Sequence, residues 1–313
     1  MFMVYKNIKT YKKGYLNVGD GHSIYYELSG NQKGKPVLFV HGGPGGGFSE
    51  KDKRFFNPKL FNIITFDQRG SGKSKPFASI KNNTTHKLVE DIRKLIYFLD
   101  IKKTYLFGGS WGSTLCLVYA IKYPETVKAM VLRGIFLGTK KENDYFICDA
   151  KSSFPKVWEE MINLVPNRFR KNVIGYYLKM MKSKNKETSN KYKLAWATYE
   201  FSVSKLIYDK NKVREILKEV NFESFSIIEL HYLSNNCFIP KKYILDNVKK
   251  INKIPLAIVH GRYDKVCDPY MAYLLHKKIK NSKLYYTLAG HSASDKGNED
   301  VLVNEINKFG KGI

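Results

Sequence analysis

Four sets of residues have the types and spacing that catalysis uses, and the first is a serine. The stretch TYLFGGSWGSTLCLV places Ser110 between Gly108, Gly109 and Gly112 in a G-x-S-x-G pattern, after a short apolar run and before a helix-like one. A serine on such a strand-to-helix bend is held in a strained conformation with its Oγ exposed, while glycines let neighbouring backbone approach closely. The following helix points its free N–H groups at developing negative charge. A helix cap alone would not need three glycines, so Ser110 reads as a nucleophile.

A serine nucleophile needs a base, an acid to orient that base, and donors for the oxyanion. With the nucleophile on such a bend, the chain order is Ser, then Asp or Glu, then His. His291, in LAGHSA, follows the last strand-like run and is the expected base. His22 falls in a hairpin, His86 and His276 in helices, and His260 inside a strand. For the acid, Asp264 closes the strand-loop HGRYD, whereas the rival Asp268 precedes Pro269 and reads as a helix N-cap. Asp264 is therefore expected to accept the Nδ1 proton of His291, leaving Nε2 facing Ser110. The fourth set is the loop His41-Gly42-Gly43-Pro44-Gly45-Gly46-Gly47. Pro44 has no N–H to give, so Gly43 and Trp111 are the expected backbone donors of the oxyanion hole.

The elements that must position these residues alternate. GYLNVGDGHSIYYELSG reads as a hairpin turning at Asp20-Gly21. KPVLFV, FNIITF, TYLF, AMVLRGIF, IPLAIVHG and KLYYTLAG read as strands. TTHKLVEDIRKLIYFLDI puts Leu88, Ile92, Leu95, Ile96 and Leu99 on one helical face, with Thr84 or Thr85 as N-cap, and MAYLLHKKIK is a further helix. Strand-helix alternation predicts an α/β protein whose mostly parallel sheet is covered on both faces. The alternation breaks between about 140 and 240, where a helical, lysine-rich segment intervenes. The expected organisation is thus a core of residues 1–139, a helical insertion of 140–240 over the C-terminal edge of the sheet, and a second core segment of 241–313.

GSGKS at 70–74 imitates the end of a phosphate-binding loop, but the position needing its first glycine holds Asp67, and Lys75-Pro76 follow instead of a helix. Nucleotide binding is rejected there. The 313 residues are 43% hydrophobic and carry a formal charge of +26, from 54 Lys+Arg against 28 Asp+Glu. The lysines are spread along the chain and accompany no recognition motif, so no nucleic-acid partner is expected. No apolar run approaches the roughly 18 residues of a membrane span. The N-terminal MFMVYKNIKTYKKGY lacks the apolar block of a secretory signal, and the four scattered cysteines form no CxxC pair. A reduced, cytoplasmic protein is expected, and nothing in the sequence speaks to its oligomeric state.

HGGPGGG, the DQRGSGKS that follows the next strand, and GGSWGSTL together resemble the proline iminopeptidases, α/β-hydrolase-fold serine peptidases with a helical cap. The resemblance continues through LRGIF, GRYD and AGHS over nearly the whole chain. Relatives of this fold with an aspartate nucleophile are disfavoured by the serine at 110. The resemblance implies that Glu200, in AWATYEFS, and Glu229, in SIIELHYLSNNCF, grip the protonated amine of the substrate. Tyr199 departs from the family's second aromatic position. The resemblance also implies that Phe136, Phe146, Val266 and Cys267 line a pocket for the proline ring. Plain core roles are open for the two phenylalanines, and an inert buried thiol for Cys267. The implied reaction is release of N-terminal proline from peptide substrates through an acyl-enzyme, with no metal or organic cofactor. An esterase or broader aminopeptidase of the same fold, and a catalytically silent binding protein, are the competing readings.

Overall fold

In the computed structural model, which describes residues 4–6 and 8–312, the first residues of the stretch read for a secretory signal lie outside the described part. Eight strands build one sheet: β1 (Thr10–Gly19), β2 (His22–Gly30), β3 (Lys35–Val40), β4 (Phe61–Phe66), β5 (Thr104–Ser110), β6 (Val127–Ile135), β7 (Leu256–Gly261) and β8 (Ser282–Thr287). Their order is β1-β2-β4-β3-β5-β6-β7-β8. β1 pairs antiparallel with β2 and β2 with β4, and every pair from β4 to β8 is parallel. The central strands are continuous apolar runs because both faces are covered. On one face Leu38, Ile64, Leu106 and Leu132 meet the Thr85–Phe98 and Trp111–Lys122 helices, and on the other Val37, Ile63, Phe107 and Val131 meet the Lys296–Lys311 helix.

The expected hairpin turns at Asp20-Gly21, and Thr84 caps the Thr85–Phe98 helix by accepting from the Lys87 N–H. Between β6 and β7 the chain is helical. The Lys186–Val203 helix packs against the Val173–Met181 and Phe222–Ser234 helices to form a cap. The cap is pinned to the loops at the edge of the sheet that carries Ser110. Ser224 Oγ donates to the Gly45 carbonyl at 3.0 Å, and Tyr232 OH to Asn83 Oδ1 at 2.8 Å. The Tyr232 ring also meets Trp111 edge-on, with centroids 4.8 Å apart.

The bend at Ser110 has no loop at all: β5 ends on it and the helix begins at Trp111. Ser110 sits at φ 58°, ψ −128°, a conformation that costs about 1–3 kcal/mol for a residue with a side chain. The surroundings enforce it by close approach. A Cβ at Gly112 would lie 2.1 Å from the Val40 carbonyl oxygen, and one at Gly108 would lie 2.6 Å from the Gly112 carbonyl oxygen.

The rejected phosphate loop closes on a carboxylate instead. Asp67 accepts from the Lys73 N–H at 2.8 Å and from the Phe48 N–H at 2.9 Å, so an anion of the chain's own occupies the turn. Two residues on, Arg69 is buried and bidentate to Asp91, with Nε–Oδ2 2.6 Å and Nη2–Oδ1 2.8 Å. This pair ties the loop after β4 to the Thr85–Phe98 helix. Replacing one partner strands the other charge in a dry interior, which costs about 3–5 kcal/mol. Arg69→Met should therefore lower the urea-unfolding free energy by that amount. Lys51→Met, which breaks the exposed pair with Glu219, should change it by less than about 1 kcal/mol.

Candidate active site

Ser110, His291, Glu200 and the glycines of the 42–47 loop share one cavity of about 430 Å³ beneath the cap. His291, on the loop after β8, presents Nδ1 to Asp264 Oδ2 at 2.8 Å. Asp264 is fully buried, yet its carboxyl is held well below the usual range. Burial pushes it up, but the two imidazoles beside it, His291 and His260, more than offset that by donating toward its carboxylate. Its other oxygen, Oδ1, accepts from the Val266 and Cys267 N–H groups, each at 2.8 Å. Asp268, by contrast, caps the Pro269–Lys278 helix through the Tyr270 N–H at 2.9 Å.

Two neighbours of this pair escaped the reading of the sequence. His260 Nδ1 accepts from the Ile135 N–H at 3.1 Å, so its proton lies on Nε2, 3.3 Å from Asp264 Oδ2 and 3.1 Å from the Cys267 carbonyl. Arg133, at the end of β6, places Nη1 3.0 Å from His291 Nε2 and 2.6 Å from the His291 carbonyl oxygen. A guanidinium only donates. Nε2 therefore carries a lone pair and Nδ1 the proton, the tautomer a general base requires. Burial, with a smaller push from Arg133, lowers the His291 pKa and keeps the ring neutral.

The expected oxyanion donors belong to segments joined by one side chain. Gln68 Nε2 donates to the His41 carbonyl at 2.8 Å, and Gln68 Oε1 accepts from Trp111 Nε1 at 2.9 Å. His41 completes the brace: its Nε2 accepts from the Gln68 N–H and its Nδ1 bonds the Gly42 carbonyl, both at 2.9 Å. Burial lowers the His41 pKa to about 4, so the brace holds at physiological pH. Trp111 is the first residue of its helix, where the backbone N–H lacks an intrahelical acceptor, and Gly43 lies in the cavity wall.

In the cap, Glu200 lies in the wall and Glu229 behind it, both buried. The two carboxyl groups bear on each other's protonation, and Trp196 Nε1 donates to Glu229 Oε2 at 2.6 Å. Burial raises the Glu200 pKa to about 7 and pushes Glu229 up as well. Tyr199 is accommodated because its hydroxyl donates to the Phe146 carbonyl at 2.6 Å. Phe136, Phe146, Val266 and Cys267 are all buried behind the cavity rather than in its wall. The aromatic side chains in the wall include Phe201 and Phe225, stacked with centroids 5.1 Å apart, and Phe225 lies against Gly43. Burial pushes the Cys267 thiol well up, so it is a poor nucleophile.

Residues 35–297 match the α/β-hydrolase-fold family. A proline iminopeptidase of Arabidopsis thaliana is 42% identical over 308 residues, covering 96% of this chain and 81% of the plant protein. One from Xylella fastidiosa is 39% identical, covering 99% of this chain and all of its own length. The chain belongs to the proline iminopeptidase family. Among solved structures, the proline iminopeptidase of Mycobacterium smegmatis superposes with a TM-score of 0.64 over 96% of this chain and 99% of its own, at 12% identity. An α/β-hydrolase from a deep-sea metagenome library gives 0.65, over 95% of this chain and 97% of its own, at 16% identity. Both likenesses are of fold.

For this member of the family, Ser110→Ala should lower kcat by about 10⁴- to 10⁶-fold without unfolding the chain. Asp264→Asn should approach that loss and Asp268→Asn should not; stopped assays on folded variants rank them, and the reverse order would move the acid to Asp268. Gln68→Ala, which frees both oxyanion segments, should cost kcat about 10- to 100-fold with little change in KM.

Proposed function

We propose that this enzyme releases N-terminal proline from peptides by acyl transfer to Ser110. The observation that carries the reading is the buried Glu200 carboxyl in the wall of the cavity that holds the serine and His291, with the buried Glu229 acting on it from behind. A paired carboxyl group in a dry cap is built to hold a cation, and the protonated amine of an N-terminal residue is that cation. An endopeptidase or simple esterase has no use for it. The names of the relatives support proline as the residue, and the stacked Phe201 and Phe225 beside the oxyanion loop offer its ring an apolar wall. The four free cysteines support a cytoplasmic location, and no helix among the described residues is long and apolar enough to cross a membrane. Peptides, not nucleic acids, are the proposed partners.

In the proposed sequence the Ser110 hydroxyl replaces Arg133 as the donor to His291 Nε2. Ser110 Oγ then attacks the carbonyl of the first residue while His291 takes its proton, and the Gly43 and Trp111 N–H groups receive the oxyanion. His291 gives that proton to the departing amine of the shortened peptide. Water, deprotonated by the same ring, releases proline from the ester. The steps draw on the triad side chains and on the backbone donors of Gly43 and Trp111.

Glu200→Gln and Glu229→Gln should lower kcat/KM on a prolyl arylamide by tens- to thousands-fold, matching the roughly 2–5 kcal/mol of a buried charge pair broken on one side. Hydrolysis of a small neutral ester should change little, and N-acetylprolyl arylamide should be a very poor substrate. Below about pH 7 Glu200 is protonated and neutral, and above it the carboxylate can hold the ammonium. The acid limb of the kcat/KM profile should therefore lie near pH 7 for the prolyl arylamide. For the ester it should lie lower, where only the depressed pKa of His291 acts. Coincident limbs, or equal losses on both substrates, would assign the glutamates to the fold.

A further inference from the structure

A second cleft, of about 460 Å³, opens beside the catalytic cavity and shares Lys205 as a wall residue with it. Its charged lining residues are Lys156, Lys205 and Lys265, with no acid among the lining, and its aromatic ones are Phe154, Tyr208 and Tyr263. Tyr208 and Tyr263 are 41% and 52% exposed, a large outlay of ring surface for residues with no core to build. Lys265 is paired with Asp149 at 2.6 Å, and Lys205 donates to Ser294 Oγ with Asp295 at 3.6 Å. The Lys156 side chain is exposed and makes no hydrogen bond or ion pair among the described residues.

The position of this cleft follows from the chemistry. His291 must protonate the departing amine, so the leaving peptide starts at His291 and runs along the wall beyond it. That wall is made by Ser292 and Ser294 with Lys205 across from them. Residues 204–206 of the cap lie directly on the His291 loop: the Ser292 N–H donates to the Ser204 carbonyl at 2.8 Å, and the Leu206 N–H to Asp295 Oδ2 at 3.0 Å. A chain leaving the cavity over Lys205 enters the basic, aromatic cleft.

We propose that this cleft binds the C-terminal part of a short peptide substrate, with the terminal carboxylate on Lys156 and neighbouring side chains against the exposed rings. The proposal rests on the peptidase reading above and adds a leaving-side subsite that selects short peptides ending in a free carboxylate. Charge complementarity favours this occupant, since the cleft offers cations and rings and no lining acid.

The test compares Pro-Ala-Phe and Pro-Ala-Ala-Phe as free acids with their C-terminal amides, each scaled to a prolyl arylamide that lacks the leaving peptide. The wild type should prefer at least one acid over its amide by about three- to tenfold in kcat/KM, and the preference should shrink as salt rises from about 0.05 to 0.5 M. Lys156→Glu should abolish or invert that ratio, and Lys156→Arg should retain it. The same charge change at Lys102, which is exposed and outside both cavities, is the control for the overall positive charge. Equal rates for acid and amide in the wild type, or equal losses in Lys156→Glu and Lys102→Glu, overturn the subsite while the prolyl arylamide activity leaves the peptidase reading standing. Absence of turnover on every prolyl substrate overturns both.

Discussion

Asp264 is a fully buried carboxylate that stays ionised, and the edge of the sheet that carries Ser110 and His291 is arranged to meet that demand. Isolated burial would neutralise such a group. Here four donors converge on it: His291 Nδ1, His260 Nε2 and the N–H groups of Val266 and Cys267. Each donor belongs to a different obligation of the fold. His260 reaches from β7 and also receives the Ile135 N–H, so it fixes the end of β6. The Val266 and Cys267 amides shape the turn that carries the acid. The Asp264 carbonyl accepts from Tyr145 OH at 2.7 Å, which ties the first cap helix to the same point. Solvating one charge thus aligns two strand ends, the histidine loop and the cap.

The cap applies the opposite device. Among the described residues the Glu200–Glu229 pair has one indole N–H at 2.6 Å, and Glu200 Oε2 meets no donor. With so few donors, burial wins and the pair keeps a proton. The same functional group is therefore held as an anion below the cavity and as a partly protonated pair above it. What separates the two is donor count rather than distance from solvent. An under-solvated acid pair is poised for an incoming cation in a way that the fully satisfied Asp264 is not. The three carboxyl groups have different duties because of this asymmetry.

What the sequence makes legible here is what local geometry decides. The Ser110 bend, the Asp20-Gly21 hairpin, the Thr84 cap and the Asp268-Pro269 helix start each depend on a few consecutive residues, and each is where the pattern places it. His260, Arg133 and Gln68 were not found, because their roles arise across the sheet. His260 looks like a strand residue until β6 is laid beside β7, and Gln68 lies 43 positions before the indole it holds. Phe201 and Phe225 were missed for the same reason, since they meet only when two cap helices pack. The residues named for the proline ring by resemblance, Phe136 and Phe146 among them, lie behind the wall. Phe136 is held there by backbone bonds to Ser113 and Thr114, and Phe146 by its carbonyl bond to Tyr199 and its packing on Trp196.

Arg133 brings these threads together. It sits where the sheet ends and faces the cavity, and its hydrogen bonds go to a histidine nitrogen and a carbonyl, neither of which carries a formal charge. Its Nε has no acceptor among the described residues, an expense that a protein rarely leaves uncompensated in its interior. Burial works against its charge, and Asp264, on the far side of the His291 ring, is the leading acid that offsets this, with Asp52 and Asp295 behind it. A cation there adds to the lowering of the His291 pKa and keeps the ring's lone pair on Nε2, the form that the proposed proton transfer from Ser110 needs. In the proposed reaction an ammonium group enters a cavity that already holds this cation, and the ionised carboxylate of the cap is the charge that would offset it.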